Sequence, residues 1–114
     1  MASKYLPGAG LEDLKERGAL VKALLAELVG TMLLVMVGCG SSLGGKDYVR
    51  IALAFGVTVA TLAQSIGHVS GCHVNPAVTL GLLCGAKIGA IRAVLYVVVQ
   101  CIGAVIGSAL LKVI

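Results

Sequence analysis

The sequence predicts an all-α membrane protein of three transmembrane helices and one re-entrant half-helix, and three observations predict it. First, 59% of the 114 residues are hydrophobic and 12% are charged, with 16 Gly and no Trp. A water-soluble domain carries about 25% charged residues, so this chain has less than half the usual means of staying in water. Second, three apolar segments, about 19–39, 49–67 and 88–111, each approach the ~20 residues that cross a bilayer as a helix. Third, residues 68–85 are largely apolar, yet too short to cross and interrupted by Gly71, Asn75 and Pro76. Irregular backbone at membrane depth is tolerated only where protein buries it or a watery cavity solvates it, so this segment points to a lumen.

Residues 1–18 are a polar tail containing Lys4, Glu12, Asp13, Lys15, Glu16 and Arg17, with one short amphipathic turn expected around Leu11 and Leu14. Met1 to Lys22 mix charge with Gly and Pro and show no cleavable leader, so the N-terminus is expected to stay in the cytoplasm. The basic residues agree: Lys4, Lys15, Arg17, Lys22, Lys87 and Arg92 fall on one side, against Lys46, Arg50 and Lys112 on the other. The turn-rich stretch Gly40 to Asp47 is expected as a loop outside the membrane, short enough to make its flanking spans neighbours.

Composition also excludes several functions. The net charge of +4 comes from scattered Lys and Arg with no basic stripe interleaved with aromatics, which argues against nucleic acid. No nucleophile and base pair, phosphate loop or cofactor motif is present, so neither an enzyme nor a cofactor is expected. Cys39, Cys72, Cys84 and Cys101 lie in or beside apolar sequence without a Cys-x-x-Cys pair and read as free thiols. His68 and His73 with Cys72 make a poor metal site, because Val69, Ser70 and Gly71 separate them flexibly and no carboxylate is near in sequence.

The informative string is Ser70-Gly71-Cys72-His73-Val74-Asn75-Pro76-Ala77-Val78-Thr79-Leu80. It reads as an extended segment followed by a helix start. Pro76 suits the first helical position, and the Asn75 side-chain oxygen can cap a first-turn amide. The Asn75 NH2 would then be left with two donors pointing forward. A helix that begins at membrane depth turns its positive dipole end to the midplane, which disfavours cations. The carbonyls of Gly71, Cys72 and His73 could accept the hydrogens of a water molecule, which makes a polar track in an apolar wall.

Other residues carry weaker signals. Glu27 is an ionisable group inside the first apolar segment, either snorkelling from its end or accepting hydrogen bonds from the amides of the re-entrant loop. The second is the preferred reading, and Gln100 in the third segment is expected to do related work. Gly103-x-x-x-Gly107 and Gly81-x-x-x-Gly85 are expected to permit close helix approach.

Asn75-Pro76-Ala77 within its flanking Ser-Gly-x-His and Val-Thr resembles the first signature of the aquaporin, or major intrinsic protein, family. The likeness extends to Glu27 and Thr31 in the first segment, to Ala54-Phe55-Gly56, Thr61, Ala63 and Gly67 in the second, and to Gln100, Gly103 and Ala104 in the third. It covers Ala19 to Leu111. The resemblance implies an aquaporin-like half-repeat over residues 19–114, with Asn75, Pro76 and Ala77 in the pore and cations repelled by half-helix dipoles, a mechanism that belongs to the family. It implies that Phe55 helps form a narrow aromatic constriction fit for water more than for glycerol, although simple packing of its ring stays open. It also implies that the His73 ring packs near the cytoplasmic mouth.

The function expected is passive water transport through the plasma membrane as the N-terminal half of a pore. Its partners would be water, the lipid bilayer, a second half-repeat and further complete subunits in a homotetramer. A glycerol facilitator, or a non-conducting form that assembles with full-length relatives, is the alternative. The sequence ends after the third segment, without a second Asn-Pro-Ala.

Overall fold

A computed structural model describes residues 16–114, and the turn expected around Leu11 and Leu14 lies outside them. Among the described residues four α-helices run in the order α1 (Arg17–Ser41), α2 (Tyr48–Ser70), α3 (Pro76–Cys84) and α4 (Ala90–Val113), with a 3-10 turn at Ser42–Gly44. At 1.5 Å per residue the 25, 23 and 24 residues of α1, α2 and α4 give lengths of about 35 Å, enough for a ~30 Å hydrocarbon core. The 9 residues of α3 cannot cross.

The helix ends differ from the sequence expectation for local reasons. The first helix passes Cys39 because the hydroxyls of Ser41 and Ser42 donate to the carbonyls of Gly38 and Cys39, both at 2.6 Å, and so satisfy acceptors that a helix end leaves open. The expected loop from Gly40 therefore shrinks to a few residues. Arg50 clamps it, donating from Nε to the Ser41 carbonyl at 3.2 Å and from Nη2 to the Gly45 carbonyl at 3.0 Å. Asp47 caps α2 by accepting from the Arg50 amide at 3.1 Å. At its other end α2 passes Gly67 and stops where Gly71 turns left-handed, with φ of +89°. The last span begins at Ala90 instead of 88, after turns at 85–89.

Packing centres on α1, which lies against α4 most extensively and against α2 next, while α3 rests on α4. The buried residues of α4 are Ala93, Tyr96, Gln100, Gly103 and Gly107, spaced alternately by three and four, and α1 buries Leu20, Ala23, Glu27, Gly30, Thr31 and Gly38. Such spacing makes a straight seam along each helix, the pattern of helices that pack side by side. Gly103 and Gly107 let the backbones meet: a Cβ on Gly103 would strike the Leu28 carbonyl, and one on Gly107 would lie 2.6 Å from that of Met32. The expectation for Gly81-x-x-x-Gly85 fails. Nothing lies within 4 Å of a Cβ built on Gly81, because that face of α3 meets no described helix.

The interior is unusually polar. Tyr96, Gln100, Glu27 and Thr79 are the largest fully buried side chains, while Val21, Leu25, Val29, Leu33 and Val37 of α1 are among the large apolar residues exposed. Lipid and partner helices, not water, suit that outer surface.

Candidate functional site

The residues between α2 and α3 reverse the chain in an unusual backbone. Gly71, Cys72 and Val74 all have positive φ, at +89°, +52° and +43°. Cys72 and Val74 are not glycine, and each such residue stores about 1–3 kcal/mol that its surroundings must offset. Glu27 of α1 supplies the offset. Its fully buried carboxylate accepts from the His73 amide at 2.9 Å and the Ser70 hydroxyl at 2.7 Å on Oε1, and from the Val74 amide at 2.7 Å and Gln100 Nε2 at 2.8 Å on Oε2. Four donors match the four lone-pair sites of an ionised carboxylate, an acceptor-only group that no neutral side chain replaces. The snorkelling alternative is thereby overturned, since the side chain turns inward onto the loop.

A second layer orients this one. Gln100 Nε2 gives its other hydrogen to Thr79 Oγ1 at 3.0 Å, and Thr79 Oγ1 lies 2.9 Å from His73 Nδ1. The Thr79 hydroxyl thus joins Gln100 to the His73 ring, either donating its own hydrogen to Nδ1 or accepting a second one from it according to the His73 tautomer. The ring sits edge-on to Tyr96, with centroids 4.9 Å apart. Tyr96 Oη donates to the Ser70 carbonyl at 2.7 Å and accepts from Arg92 Nη1 at 2.9 Å. The Ser70 hydroxyl accepts from the Cys72 amide at 3.1 Å, and Thr31 Oγ1 donates to the Glu27 carbonyl at 2.7 Å. Gln100 Oε1 is buried and accepts from no described donor.

Asn75 closes the loop. Its Oδ1 accepts from the Ala77 amide at 2.8 Å, with Pro76 at the first helical position, while the residue itself is exposed. Among the described residues, Asn75 Nδ2 and the carbonyls of Gly71, Cys72 and His73 have no hydrogen-bond partner. Donors and acceptors are thus left over on the very segment whose other amides are tied down.

The structure unites Glu27, Gln100, His73 and the start of α3 in one network, and leaves Phe55 apart from it. The Phe55 ring lies on Gly38 of α1 and is 38% exposed. Among the described residues no group of three or more His, Cys, Asp or Glu side chains could hold a metal. Cys39, Cys84 and Cys101 are exposed free thiols, and Cys72 is a half-buried one. Ser70 and Thr79 stand in the informative string without an assigned role there, and Tyr96 belongs to the site although no sequence pattern singles it out as functional. The signal for Tyr96 is its place four residues before Gln100, on the same helix face.

Gly71 offers a direct check on the loop. An alanine there must hold the left-handed conformation, at about 1–2 kcal/mol, and its Cβ would lie 3.3 Å from His73 Nε2. Gly71→Ala is expected to lower the melting midpoint in detergent, and an unchanged midpoint would show that the loop relaxes freely.

The family described as Major intrinsic protein matches residues 15–114. Aquaporin-1 of Homo sapiens and of Rattus norvegicus are each 46% identical over 102 residues, which cover 80% of this chain and 38% of theirs. Aquaporin FA-CHIP of Pelophylax lessonae is 40% identical over 112 residues, 85% of this chain and 41% of its own. The chain spans less than half the length of these curated relatives.

Proposed function

The chain belongs to the major intrinsic protein family, and we propose that it forms the N-terminal wall of a passive water pore. The observation that carries this reading is the half-used Asn75 side chain. Its oxygen is fixed on the Ala77 amide while its NH2 stays free, beside three carbonyls that lack protein partners. A water oxygen accepts from Asn75 Nδ2 and its hydrogens go to those carbonyls, so a water exchanges its bulk partners for equivalent ones. A cation meets the positive end of α3 instead, in a place with little water to screen it. No bond is made or broken, and no covalent chemistry is involved.

The name that the relatives carry favours water, and so does the bulk of Phe55 as one side of the constriction. Three long apolar helices and the family together make this a multi-pass membrane protein. The finer setting is part of the proposal: the plasma membrane, the N-terminus inside by the six-to-three balance of basic residues, and a homotetramer of complete subunits. A second half-repeat supplies the opposite wall, because sites in inverted-repeat membrane proteins lie between two halves near the midplane.

The test is a completed channel, in which residues 1–114 are joined to the C-terminal part of human Aquaporin-1 and reconstituted into proteoliposomes. Stopped-flow shrinkage should show water permeability well above that of empty vesicles, with little glycerol uptake. Flux at the lipid background from folded protein would refute the reading, and glycerol passing as readily as water would replace it with a solute facilitator. Phe55→Ala in the same channel is expected to admit glycerol-sized solutes. If only thermal stability changes and solute selection does not, the ring is packing alone.

A further inference from the structure

Phe55 owes its place to what is missing across from it. Gly38 is buried in α1 beneath the Phe55 ring, and a Cβ built there would lie 2.6 Å from Cζ and 2.7 Å from Cδ1, and would also strike Cε1. Carbon atoms in ordinary contact stay about 3.5–4.0 Å apart, so one added methyl would drive the ring back by about 1 Å. Gly30, one α1 glycine nearer the loop, would meet Ile66 and Val74 at 2.8 Å in the same way, whereas at Gly38 the three nearest atoms all belong to the Phe55 ring. The Gly38 face of α1 closes one side of the ring, and 38% of the residue is exposed, so the ring has room to retreat from α1.

We propose that Gly38 is a specificity-determining residue of the pore: its bare backbone seats the Phe55 ring and thereby sets the width of the constriction. The inference rests on the water-pore reading above, in which the exposed side of Phe55 faces the lumen. A water molecule is about 2.8 Å across on the usual 1.4 Å probe, so a shift of about 1 Å into a single-file passage is a large fraction of its bore. The Gly38 and Phe55 pair therefore acts as one unit, with Phe55 as the wall and Gly38 as the depth to which the wall is set.

A double-mutant cycle in the completed channel tests this. Gly38→Ala is expected to lower water permeability per inserted protein severalfold while the ring is present. In the Phe55→Ala background the same substitution should leave permeability within about twofold, the scatter with which independent sites combine. Equal permeability of the wild type and Gly38→Ala overturns the proposal, as does a loss of the same size in both backgrounds, which would mark a general packing defect. If Gly38→Ala does not insert, the comparison passes to Phe55→Leu with and without Gly38→Ala. Reduced flux on adding the methyl supports the proposal, and equal flux overturns it. A wild-type channel without water flux refutes the pore reading itself, whereas flux with no dependence on Gly38 refutes only this inference.

Discussion

Glu27→Ala is expected to leave the protein unable to accumulate in folded form, while Glu27→Gln should fold with a clearly lowered melting midpoint. The alanine variant strands three buried donors at once, the amides of His73 and Val74 and one hydrogen of Gln100 Nε2, and leaves the Ser70 hydroxyl only the Ile66 carbonyl at 3.4 Å. A buried donor left without its acceptor costs about 1–3 kcal/mol, and three of them rival the 5–15 kcal/mol by which domains are usually stable. Glutamine fills the same space but is not equivalent. With its NH2 toward Oε2's place it faces two donors, the Val74 amide and Gln100. With its NH2 toward Oε1's place it meets the Ser70 hydroxyl, which can turn and accept, so one donor, the His73 amide, is orphaned. That orientation should be adopted, at a cost of about 1–3 kcal/mol plus the lost charge assistance. Size-exclusion recovery and thermal unfolding in detergent separate the three proteins. A Glu27→Ala variant that melts with the wild type would show that the loop's strained backbone needs no carboxylate.

Particular residues show what is legible in the sequence and what is not. Segment lengths are legible, because a run of about 20 apolar residues rarely occurs outside a bilayer-spanning helix, and so is the break at Gly71, Asn75 and Pro76. Helix ends are not, since they depend on the back-bonded hydroxyls of Ser41 and Ser42 and on a left-handed Gly71. An acid in an apolar segment is reason enough to look for buried donors, but which amides Glu27 meets depends on the positive φ of Cys72 and Val74. Neither residue type favours that conformation, so no local rule announces it. The same limit applies to Gly81. Small residues four apart permit a close approach without requiring one, and here Gly103 and Gly107 meet another backbone while Gly81 does not.

Asn75→Asp separates the cap from the pore, because aspartate preserves one role of the side chain and reverses the other. Its Oδ1 still accepts from the Ala77 amide, and a negative charge at a helix start is favourable, so folding should be unharmed or slightly improved. The free NH2, however, becomes a carboxylate oxygen that offers no hydrogen and carries charge. A unit charge about 5 Å from a passing cation, at an effective dielectric of about 20, contributes roughly 3 kcal/mol, or on the order of 100-fold in cation occupancy. In the completed channel the variant is therefore expected to pass a cation current that the wild type excludes, with water flow retained. The current should fade as the bath is acidified enough to protonate the new carboxyl, a response that a mere packing defect would not give. Cation conductance equal to the wild type's, in protein shown to be folded and inserted, would mean that Asn75 does not face the permeating file. The α3 dipole alone, or groups on the opposite wall, would then carry the rejection of ions.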